Sequence, residues 1–447
     1  MNYLKNIFKF VEEELNIKGV NKKNEIARLL YEILKKYNIT LEQFLKNYKL
    51  PEKFNFNELK EFLIKIRYPL SYNKIEKNQI YLPQLKISNE ENSYKIINEY
   101  KPERIFIEKE ALNYELTERI VSKFPGAETI IIDKIKNFKK NSNDYISTLG
   151  KENIFLIVEK YDILKKCPCT KNVLSCGYFI FNLGFGCIYD CSYCYLQHYT
   201  NSPGIILPVN INEILYKLSN ILQKIKIPMR RIGTGEFTDS LMLDNITEYS
   251  NYLIPFFEKT EFLLELKTKS ANISNILKFS KIKNTIVAWS VNTPYIVDSE
   301  EHFTPPLIER LNSAKKLTEF GFKVAFHFDP IVYYDNWEKD YKKVVEKIFQ
   351  FCDDKIAWIS LGTFRFNRSL KSIIEKRFPN NKILDGELFI DPIDNKLRYP
   401  QFLRIEIYKK ILNWIKKYNK SAAVYLCMEP PQVWKEIDSK FQLPNFK

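Results

Sequence analysis

Glycine is scarce in this sequence. Only 12 of the 447 residues are glycine, roughly 3% against a typical value of ~7%. Six of the 12 lie between Gly177 and Gly235. The concentration of so rare a residue in one stretch excludes casual placement, and it indicates that the backbone there needs conformations that other residues disfavour.

The chain also has no long hydrophobic run and no secretion signal. Its most apolar stretch, residues 177–189, is interrupted by Asn182 and several glycines and is shorter than the ~20 residues of a membrane helix. The N-terminus soon carries Glu12, Glu13 and Glu14 and no apolar segment that ends in a cleavage site. These absences predict a soluble, cytoplasmic protein with no membrane partner.

The composition is that of a globular protein with a basic excess. Hydrophobic residues make up 45% of the chain and charged residues 28%, and the length corresponds to about two to four domains. The formal net charge is +15. Such an excess is typical of nucleic-acid partners, but the basic residues are spread along the chain among glutamates. Nucleic-acid binding and mere solubility therefore both stay open.

The spacing of apolar and β-branched residues changes along the chain and predicts four domains or segments. Residues 1–75 have apolar residues at helical spacing and a capping box at Thr40 and Gln43, which predicts a helical accessory domain. Residues 76–165 are predicted to form a small α/β subdomain, because short β-branched runs flank a helix over 116–124. Residues 166–400 are predicted to form the main body, and residues 401–447 a C-terminal extension of it.

The main body alternates strands with helices. Six strands are predicted over residues 178–183, 231–235, 262–268, 285–291, 323–328 and 356–361. Five helices are predicted over residues 211–224, 246–257, 273–279, 306–320 and 337–351. Short apolar strands joined by helical connections indicate a parallel sheet with right-handed crossovers. We therefore expect an α/β fold, a partial (β/α)6 TIM-type barrel with its chemistry at the carboxyl ends of the strands.

The cysteines carry the strongest chemical signal. Six of the eight lie within residues 167–194, and clustered cysteines without a secretion signal more often bind metal than form disulfides. Three of them, Cys187, Cys191 and Cys194, have the spacing Cys-x3-Cys-x2-Cys. They can hold three irons of a [4Fe-4S] cluster and leave the fourth iron open. The alternatives are a zinc site with His198 as a further ligand and plain buried cysteines.

This motif resembles that of the radical S-adenosylmethionine (SAM) enzymes. The segment from Gly186 to Gln197 is similar in particular to the spore photoproduct lyase-like family, and the similarity covers about residues 104–375. The resemblance implies that the open iron binds SAM. Reduction then yields a 5′-deoxyadenosyl radical that abstracts hydrogen from a substrate, while the protein orients the reactants. It also implies a one-electron donor such as ferredoxin or flavodoxin.

The resemblance extends to the ends of the next strands. It implies that the segment around Gly233, Gly235 and Glu236 faces the amino group of SAM, and that a lysine after the third strand contacts SAM. The cofactor-binding residues implied in this way are Tyr193, Gly233, Gly235, Glu236, Lys269, Ser290 and Asn292. For Lys269, Ser290 and Asn292 the alternative is ordinary capping of the strand ends or solubility.

One position departs from the family pattern. Spore photoproduct lyases return a hydrogen atom from a cysteine just after the second strand. When the segments are aligned on Asp239, that position is Glu236 here, and no cysteine lies between Cys194 and Cys352. Tyr195 matches the family tyrosine that follows the last cluster cysteine and belongs to the radical-return pathway. Tyr195 and Glu236 are therefore the candidate catalytic residues, with plain packing as the alternative for Tyr195.

A second set of cysteines precedes the barrel. Cys167, Cys169 and Cys176 are joined by the distant Cys427, and close sulfur ligands with a remote fourth are a common structural-site layout. We interpret this set as an auxiliary iron–sulfur cluster or a zinc site, with reduced, buried thiols as the alternative. Cys352 lies in an amphipathic helix and is expected in the core.

The substrate is open at this stage. Aromatic and basic residues mix in the segments 364–368 and 398–402, which can stack on bases and contact phosphates or form half-buried edges. The first hypothesis is a spore photoproduct lyase-like radical SAM enzyme that acts on a nucleic acid. The alternatives are a radical SAM enzyme that modifies a peptide, protein or small metabolite, and a non-catalytic iron–sulfur protein.

Overall fold

The computed structural model describes residues 2–50, 53–85, 100–138, 149–170, 172–199, 202–225, 231–280 and 282–437. The chain divides into two compact units. The first comprises residues 1–94, 333–335 and 365–404, and the second comprises residues 95–332, 336–364 and 405–447. Residues 365–404, which the sequence analysis assigned mainly to the barrel, thus group with the N-terminal residues. The predicted domain boundaries themselves stay a prediction.

The first unit is mainly helical. Its helices are Asn2–Lys9, Val20–Tyr37, Leu41–Asn47, Phe56–Arg67 and Leu370–Arg377. A small antiparallel sheet has the order Arg365–Phe366, Leu397–Arg398, Phe389–Ile390. The predicted capping box is present, since the Gln43 amide donates to Thr40 and the Thr40 amide donates back to the Gln43 side chain. Local side-chain chemistry therefore fixes the start of helix Leu41–Asn47.

A buried ionic cluster lies inside this unit. The Glu32 carboxylate contacts Arg67 at 3.0 Å, Lys371 at 2.7 Å and Arg28 at 3.5 Å. Burial alone would raise the pKa of Glu32, but the cations Lys371, Arg67 and Arg28 lower it to about 2. Because Lys371 lies more than 300 residues from Glu32 in the chain, this cluster joins helix Leu370–Arg377 to the N-terminal helices.

We expect Glu32→Gln to destabilise the first unit by about 3 kcal/mol at neutral pH, because it leaves buried cations without their carboxylate. The lowered pKa of Glu32 adds a pH dependence. Its contribution is complete above pH 4.5 and is lost as the pH falls through about 2. Hydrogen exchange of helix Val20–Tyr37 should therefore differ between wild type and variant at pH 7, and the difference should shrink in acid. Glu25→Gln is the control, since Glu25 forms a partly exposed pair with Lys60; equal effects of the two variants would contradict this account.

The second unit begins with a small parallel sheet. Its strands are β1 Arg104–Glu108, β2 Glu128–Ile132 and β3 Asn153–Ile157, followed later in the chain by β7 Ile205–Pro208. They have the order β2-β1-β3-β7, and all neighbours are parallel. Helix Glu115–Lys123 connects β1 to β2. The predicted α/β pattern is present here, whereas strand β7 had no counterpart in the sequence analysis.

The large sheet of this unit carries the predicted alternation. Its strands are β4 Leu164–Lys166, β5 Phe179–Phe181, β8 Arg231–Gly233, β9 Leu263–Thr268, β10 Thr285–Ser290, β12 Val324–Ile331, β13 Ile356–Thr363 and β14 Val424–Leu426. They run in the order β14-β13-β12-β10-β9-β8-β5-β4. All neighbours are parallel except β4, which is antiparallel to β5. The six predicted strands are therefore present in one sheet, and β14 extends it.

Helices connect the parallel strands. They are Ile211–Leu222, Asp244–Thr247, Tyr249–Phe257, Pro294–Glu300, Leu307–Glu319 and Trp337–Cys352, followed by Gln401–Tyr418 and Pro431–Ile437. In the longer helices, such as Ile211–Leu222 and Trp337–Cys352, the buried residues follow helical spacing, so these helices bury one apolar face. Within the described residues, no helix is both long enough and apolar enough to cross a membrane.

Two predicted helices were wrong in detail. The helix predicted over 246–257 is broken at Glu248, which has φ 52°, because the Asp244 carboxylate accepts bonds from the amide and hydroxyl of Ser250. The helix predicted over 273–279 is only a short 3-10 turn, Ile276–Lys278. Its polar start favours local bonds, such as that from the Asn272 amide to the Ser270 hydroxyl, which compete with helix formation.

Candidate functional site

The Cys-x3-Cys-x2-Cys segment follows strand β5. In a barrel of parallel strands, loops after the carboxyl ends of the strands form the chemical face. Gly184 and Gly186 start the loop with φ of 116° and 88°. A Cβ at Gly184 would lie 2.7 Å from the Ile206 carbonyl oxygen. The scarce glycines therefore stand where the backbone is left-handed and crowded.

The three cysteines lie close together around this loop. The Cys194 amide donates to the Cys191 carbonyl at 3.0 Å. Burial raises the pKa of the Cys187 thiol to about 12. Burial also raises the pKa values of Cys191 and Cys194. Metal binding at these thiols must therefore release protons.

A small cavity lies beside the loop. Its volume is about 30 Å³, and its lining includes Cys187, Cys194, Gly186 and Tyr189. Across the described ranges, no three Cys, His, Asp or Glu side chains converge on a point where they could hold one metal ion. The cysteines of a cubane bind different irons, so they need not converge. The three thiols of the loop therefore suit a cluster that leaves one iron open.

Tyr193 and Lys269 meet beside the cysteines. The Lys269 ammonium lies 5.6 Å from the centroid of the Tyr193 ring. Burial lowers the pKa of Lys269, but the nearby Cys191 and Glu301 raise it by more than burial lowers it. The net shift of the pKa is upward, so the side chain is a cation. The Asp239 carboxylate accepts bonds from the Lys269 amide and the Thr268 hydroxyl, each at 2.6 Å. This arrangement holds a positive charge next to the cysteine loop.

Gly233, Gly235 and Glu236 form the end of strand β8. A Cβ at Gly233 would lie 2.1 Å from the Tyr178 hydroxyl, and one at Gly235 would lie 2.6 Å from the Lys267 carbonyl oxygen. The Tyr195 hydroxyl donates to the Glu236 backbone carbonyl and lies 3.0 Å from its carboxylate. The two candidate catalytic residues are therefore neighbours, although they are 41 positions apart in the chain.

We expect Gly235→Ala to destabilise the barrel by about 1–3 kcal/mol, because the new methyl group must displace Lys267 and strand β9. The melting temperature of the second unit should fall, and SAM affinity should fall with it, since β9 leads to Lys269. Gly126→Ala is the matched control, because nothing lies within 4 Å of a Cβ at Gly126. Equal melting temperatures for the two variants would contradict the crowding at Gly235.

Ser290 and Asn292 lie at the end of strand β10. Asn292 is 1% exposed. Its side-chain oxygen accepts the Tyr341 hydroxyl at 2.5 Å, and its side-chain nitrogen donates to the Pro330 carbonyl at 3.0 Å. The Ser290 carbonyl accepts a bond from Arg310 at 3.0 Å. The bonds of Asn292 are those expected if it caps the end of the strand, which was the alternative to a SAM contact. A SAM contact at Ser290 or Asn292 stays a prediction.

The second cysteine set lies between the two edges of the large sheet. Cys167 follows edge strand β4, and Cys427 follows edge strand β14. A hydrogen bond with Cys169 and burial raise the pKa of Cys167, and Cys427 adds to the effect. The Cys176 sulfur accepts a bond from Arg231 at 3.0 Å. The sequence-distant Cys427 is thus a neighbour of the local set.

The remaining residues singled out in the sequence lie either in the core or at the surface. Cys352 is 2% exposed, as expected of a core residue, and His198 is exposed. In the two aromatic and basic segments, the structure buries Phe364, Phe366, Arg398 and Tyr399. The two segments are therefore half-buried edges, which was the alternative to nucleic-acid contact, and these four side chains are not available to stack on bases.

Sequence reasoning missed several buried charged residues. Glu265 lies 2.7 Å from His327 and 3.2 Å from Arg231 inside the barrel. Near the cysteine loop, Glu301 pairs with Arg310 at 2.7 Å. A charged residue within a predicted strand was the available signal for Glu265, whereas Glu301 lies between predicted elements and gave none.

Comparison with known proteins agrees with this geometry. A family model described as spore photoproduct lyase matches residues 100–411. The spore photoproduct lyase of Clostridium acetobutylicum is 26% identical over 305 residues, which cover 67% of this chain and 87% of that protein. The enzyme of Bacillus subtilis is 26% identical over 304 residues, with coverages of 65% and 86%.

Solved structures match the fold. A spore photoproduct lyase complexed with dinucleoside spore photoproduct superposes with a TM-score of 0.64 and 21% identity, covering 73% of this chain and 99% of that one. A variant with bound AdoMet and the same dinucleoside gives the same TM-score and coverage. The predicted partial barrel is thereby confirmed. This chain belongs to the spore photoproduct lyase family, whose members are radical SAM enzymes with a [4Fe-4S] cluster.

Proposed function

We propose that this radical SAM enzyme acts on a damaged nucleic acid, with a DNA photoproduct as the first candidate. The observation that carries the proposal is the cysteine loop after β5, which lies beside Lys269, Tyr193 and Glu236 in a chain of this family. Solved relatives bind dinucleoside spore photoproduct. The net charge of +15 suits a polyanionic substrate.

We assign each residue a role from its position. Cys187, Cys191 and Cys194 would hold the cluster, and the cationic Lys269 beside Tyr193 would contact SAM. When bound, the cluster and SAM supply a 5′-deoxyadenosyl radical after one-electron reduction. The chain's own part is to orient SAM and to exclude water and side reactions. The electron donor is a ferredoxin- or flavodoxin-type protein.

Tyr195 and Glu236 are the proposed catalytic pair. Glu236 takes the position where the family has its hydrogen-returning cysteine, and its carboxylate lies 3.0 Å from the Tyr195 hydroxyl. Burial and the Glu236 carboxylate hold the pKa of Tyr195 well above its usual value, so the phenol keeps its O–H bond. We assign Tyr195 to the hydrogen-return step, in which the neutral phenol gives the hydrogen atom of its O–H bond to the substrate radical and is left as a tyrosyl radical. An electron from the one-electron donor and a proton then restore the phenol.

The test compares ultraviolet-irradiated DNA with undamaged DNA and RNA. The reconstituted, reduced enzyme should remove photoproduct from irradiated DNA and leave undamaged DNA and RNA unchanged, as measured by chromatography of the digested nucleic acids. Cys194→Ala should leave all three unchanged. Binding should weaken steeply as salt rises, because phosphate contacts release counterions. SAM cleavage without any change in a nucleic acid would favour a peptide, protein or small metabolite as substrate.

We further propose that Cys167, Cys169, Cys176 and Cys427 bind a second iron–sulfur cluster or a zinc ion. The supporting observation is that these cysteines come from the two edges of the open sheet. Between them, the Thr170 amide donates to the Met428 sulfur at 3.5 Å, and the Leu174 amide donates to the Glu429 carbonyl at 3.2 Å. A metal group held here would join the first and last strands of the barrel.

A second cluster predicts about eight irons per reconstituted chain instead of about four. Cys427→Ala should then return the count to about four, whereas Cys352→Ala should keep it at about eight. Zinc at the site would instead appear in elemental analysis as about one zinc per chain that Cys427→Ala removes. A wild-type protein with about four irons and no zinc would contradict the proposal.

A further inference from the structure

The cysteine loop is bound to a short segment far along the chain. Residues Asp190–Cys191 pair as an antiparallel strand, β6, with strand β11, Glu301–His302. The Ser192 amide donates to the Glu300 carbonyl at 2.8 Å, and the Ser192 hydroxyl donates to the Glu300 carboxylate. Glu300 and Ser192 are both fully buried. The loop residues between the cysteines therefore have fixed partners.

Glu301 extends this attachment toward strand β10. One oxygen of its carboxylate accepts the Tyr193 hydroxyl, and the other lies 2.7 Å from Arg310. The Arg310 guanidinium also donates to the Ser290 carbonyl at 3.0 Å and to the Thr304 hydroxyl at 2.7 Å. Glu301 and Arg310 are 3% and 0% exposed. A continuous chain of bonds thus runs from the cysteine loop to the carboxyl end of β10.

The same chain of bonds fixes the ring of Tyr193. Its hydroxyl is held by Glu301, the Lys269 ammonium lies 5.6 Å from its centroid, and Phe364 meets it edge-on at 6.4 Å. Glu301 also acts electrostatically on Lys269. One carboxylate therefore accepts a bond from Tyr193 and acts electrostatically on Lys269, the two residues that the proposed function assigns to SAM.

Stability alone does not explain this arrangement. Burying an ion pair costs desolvation free energy that its attraction often only offsets, and apolar residues of similar volume are commonly as stable. Partners behind a metal-binding loop, in contrast, orient the ligands and tune the bound group. The geometry here is of the second kind, because one carboxylate oxygen of Glu301 bonds to Tyr193 in the loop and the other contacts Arg310, which bonds to the end of β10.

We infer that Glu301 and Arg310 are positioning residues that couple the cluster loop to the SAM site. They hold Tyr193 and Lys269 in fixed positions relative to the cysteines, so that SAM binds to a preformed site. The inference rests on the proposed role of these residues in cofactor binding.

The test uses reconstituted full-length protein with SAM as the probe. Glu301→Gln keeps the shape and an acceptor for Tyr193 but removes the charge that faces Arg310 and Lys269. We expect wild-type iron content and an increase of about tenfold in the Kd for SAM per loaded cluster. The change that SAM causes in the electron paramagnetic resonance spectrum of the reduced cluster should shift to correspondingly higher SAM concentration.

Two further variants complete the test. Arg310→Lys keeps the charge but cannot reach Ser290, Thr304 and Glu301 together, so it should raise the Kd in the same direction. The effects of Glu301→Gln and Arg310→Lys should not add in the double variant. Glu309→Gln is the matched control, because Glu309 is exposed on the same helix beside Arg310.

The outcomes separate this inference from the proposed function. Wild-type protein that does not bind SAM would contradict the proposed function. Wild-type protein that binds SAM while both variants bind it with unchanged Kd per cluster would overturn the coupling. Loss of iron with unchanged Kd per remaining cluster would overturn it as well, because the two residues would then serve only the loop.

Discussion

Replacement of Cys194 by alanine should abolish both the cluster and the chemistry. Cys194 is the last cysteine of the loop and lines the cavity beside it. With one of three thiolates removed, the cubane loses an iron ligand. We expect the iron of the first site and its visible absorbance to disappear, and 5′-deoxyadenosine formation to fall below detection. Iron analysis and product chromatography of the reconstituted variant measure this.

The control for this experiment is Cys352→Ala. Cys352 is buried at the end of helix Trp337–Cys352, away from both cysteine sets in the sequence. That variant should lose some stability through the cavity it creates but keep its iron and its product. A Cys194→Ala protein with full iron and wild-type product would show that this cysteine is no ligand.

Replacement of Glu236 by alanine should separate SAM cleavage from substrate turnover. The carboxylate lies 3.0 Å from the Tyr195 hydroxyl, and its removal takes away this contact while the bond to the Glu236 backbone carbonyl is kept. A misplaced hydrogen donor costs roughly 100-fold in rate. With SAM at saturating concentration, we expect 5′-deoxyadenosine to form at near the wild-type rate, while altered DNA product falls by about that factor.

Glu236→Gln distinguishes the hydrogen bond from the charge. The amide oxygen still accepts from Tyr195, so this variant should recover most of the product that Glu236→Ala loses. Tyr195→Phe should match Glu236→Ala, because it removes the other half of the contact. Wild-type product from Glu236→Ala and Tyr195→Phe would remove both residues from the mechanism.

Local patterns explain why much of the fold was predictable. The capping box at Thr40 and Gln43 and the cysteine spacing are both contained in a few consecutive residues. The barrel strands are short apolar runs, and their burial on both faces makes them visible in sequence. The helix predicted over 273–279 failed because polar side chains there bond locally, which residue spacing does not reveal.

Contacts between distant residues were not predictable from one sequence. The grouping of residues 365–404 with the N-terminal helices depends on pairs such as Glu32 and Lys371. The contacts of Glu301 with Tyr193 and Arg310 likewise form only when the cysteine loop is folded against the segment that carries Glu301. From the sequence alone, a charged residue in a loop is predicted to lie on the surface. Only the structure shows that Glu301 is buried.

The most direct test of the account is 5′-deoxyadenosine formation. The protein would be reconstituted anaerobically, reduced and given SAM together with irradiated DNA. We expect 5′-deoxyadenosine from the wild type and loss of photoproduct from the irradiated DNA, measured by chromatography after digestion. A protein with a full cluster that neither binds nor cleaves SAM would contradict it and would indicate a non-catalytic iron–sulfur protein.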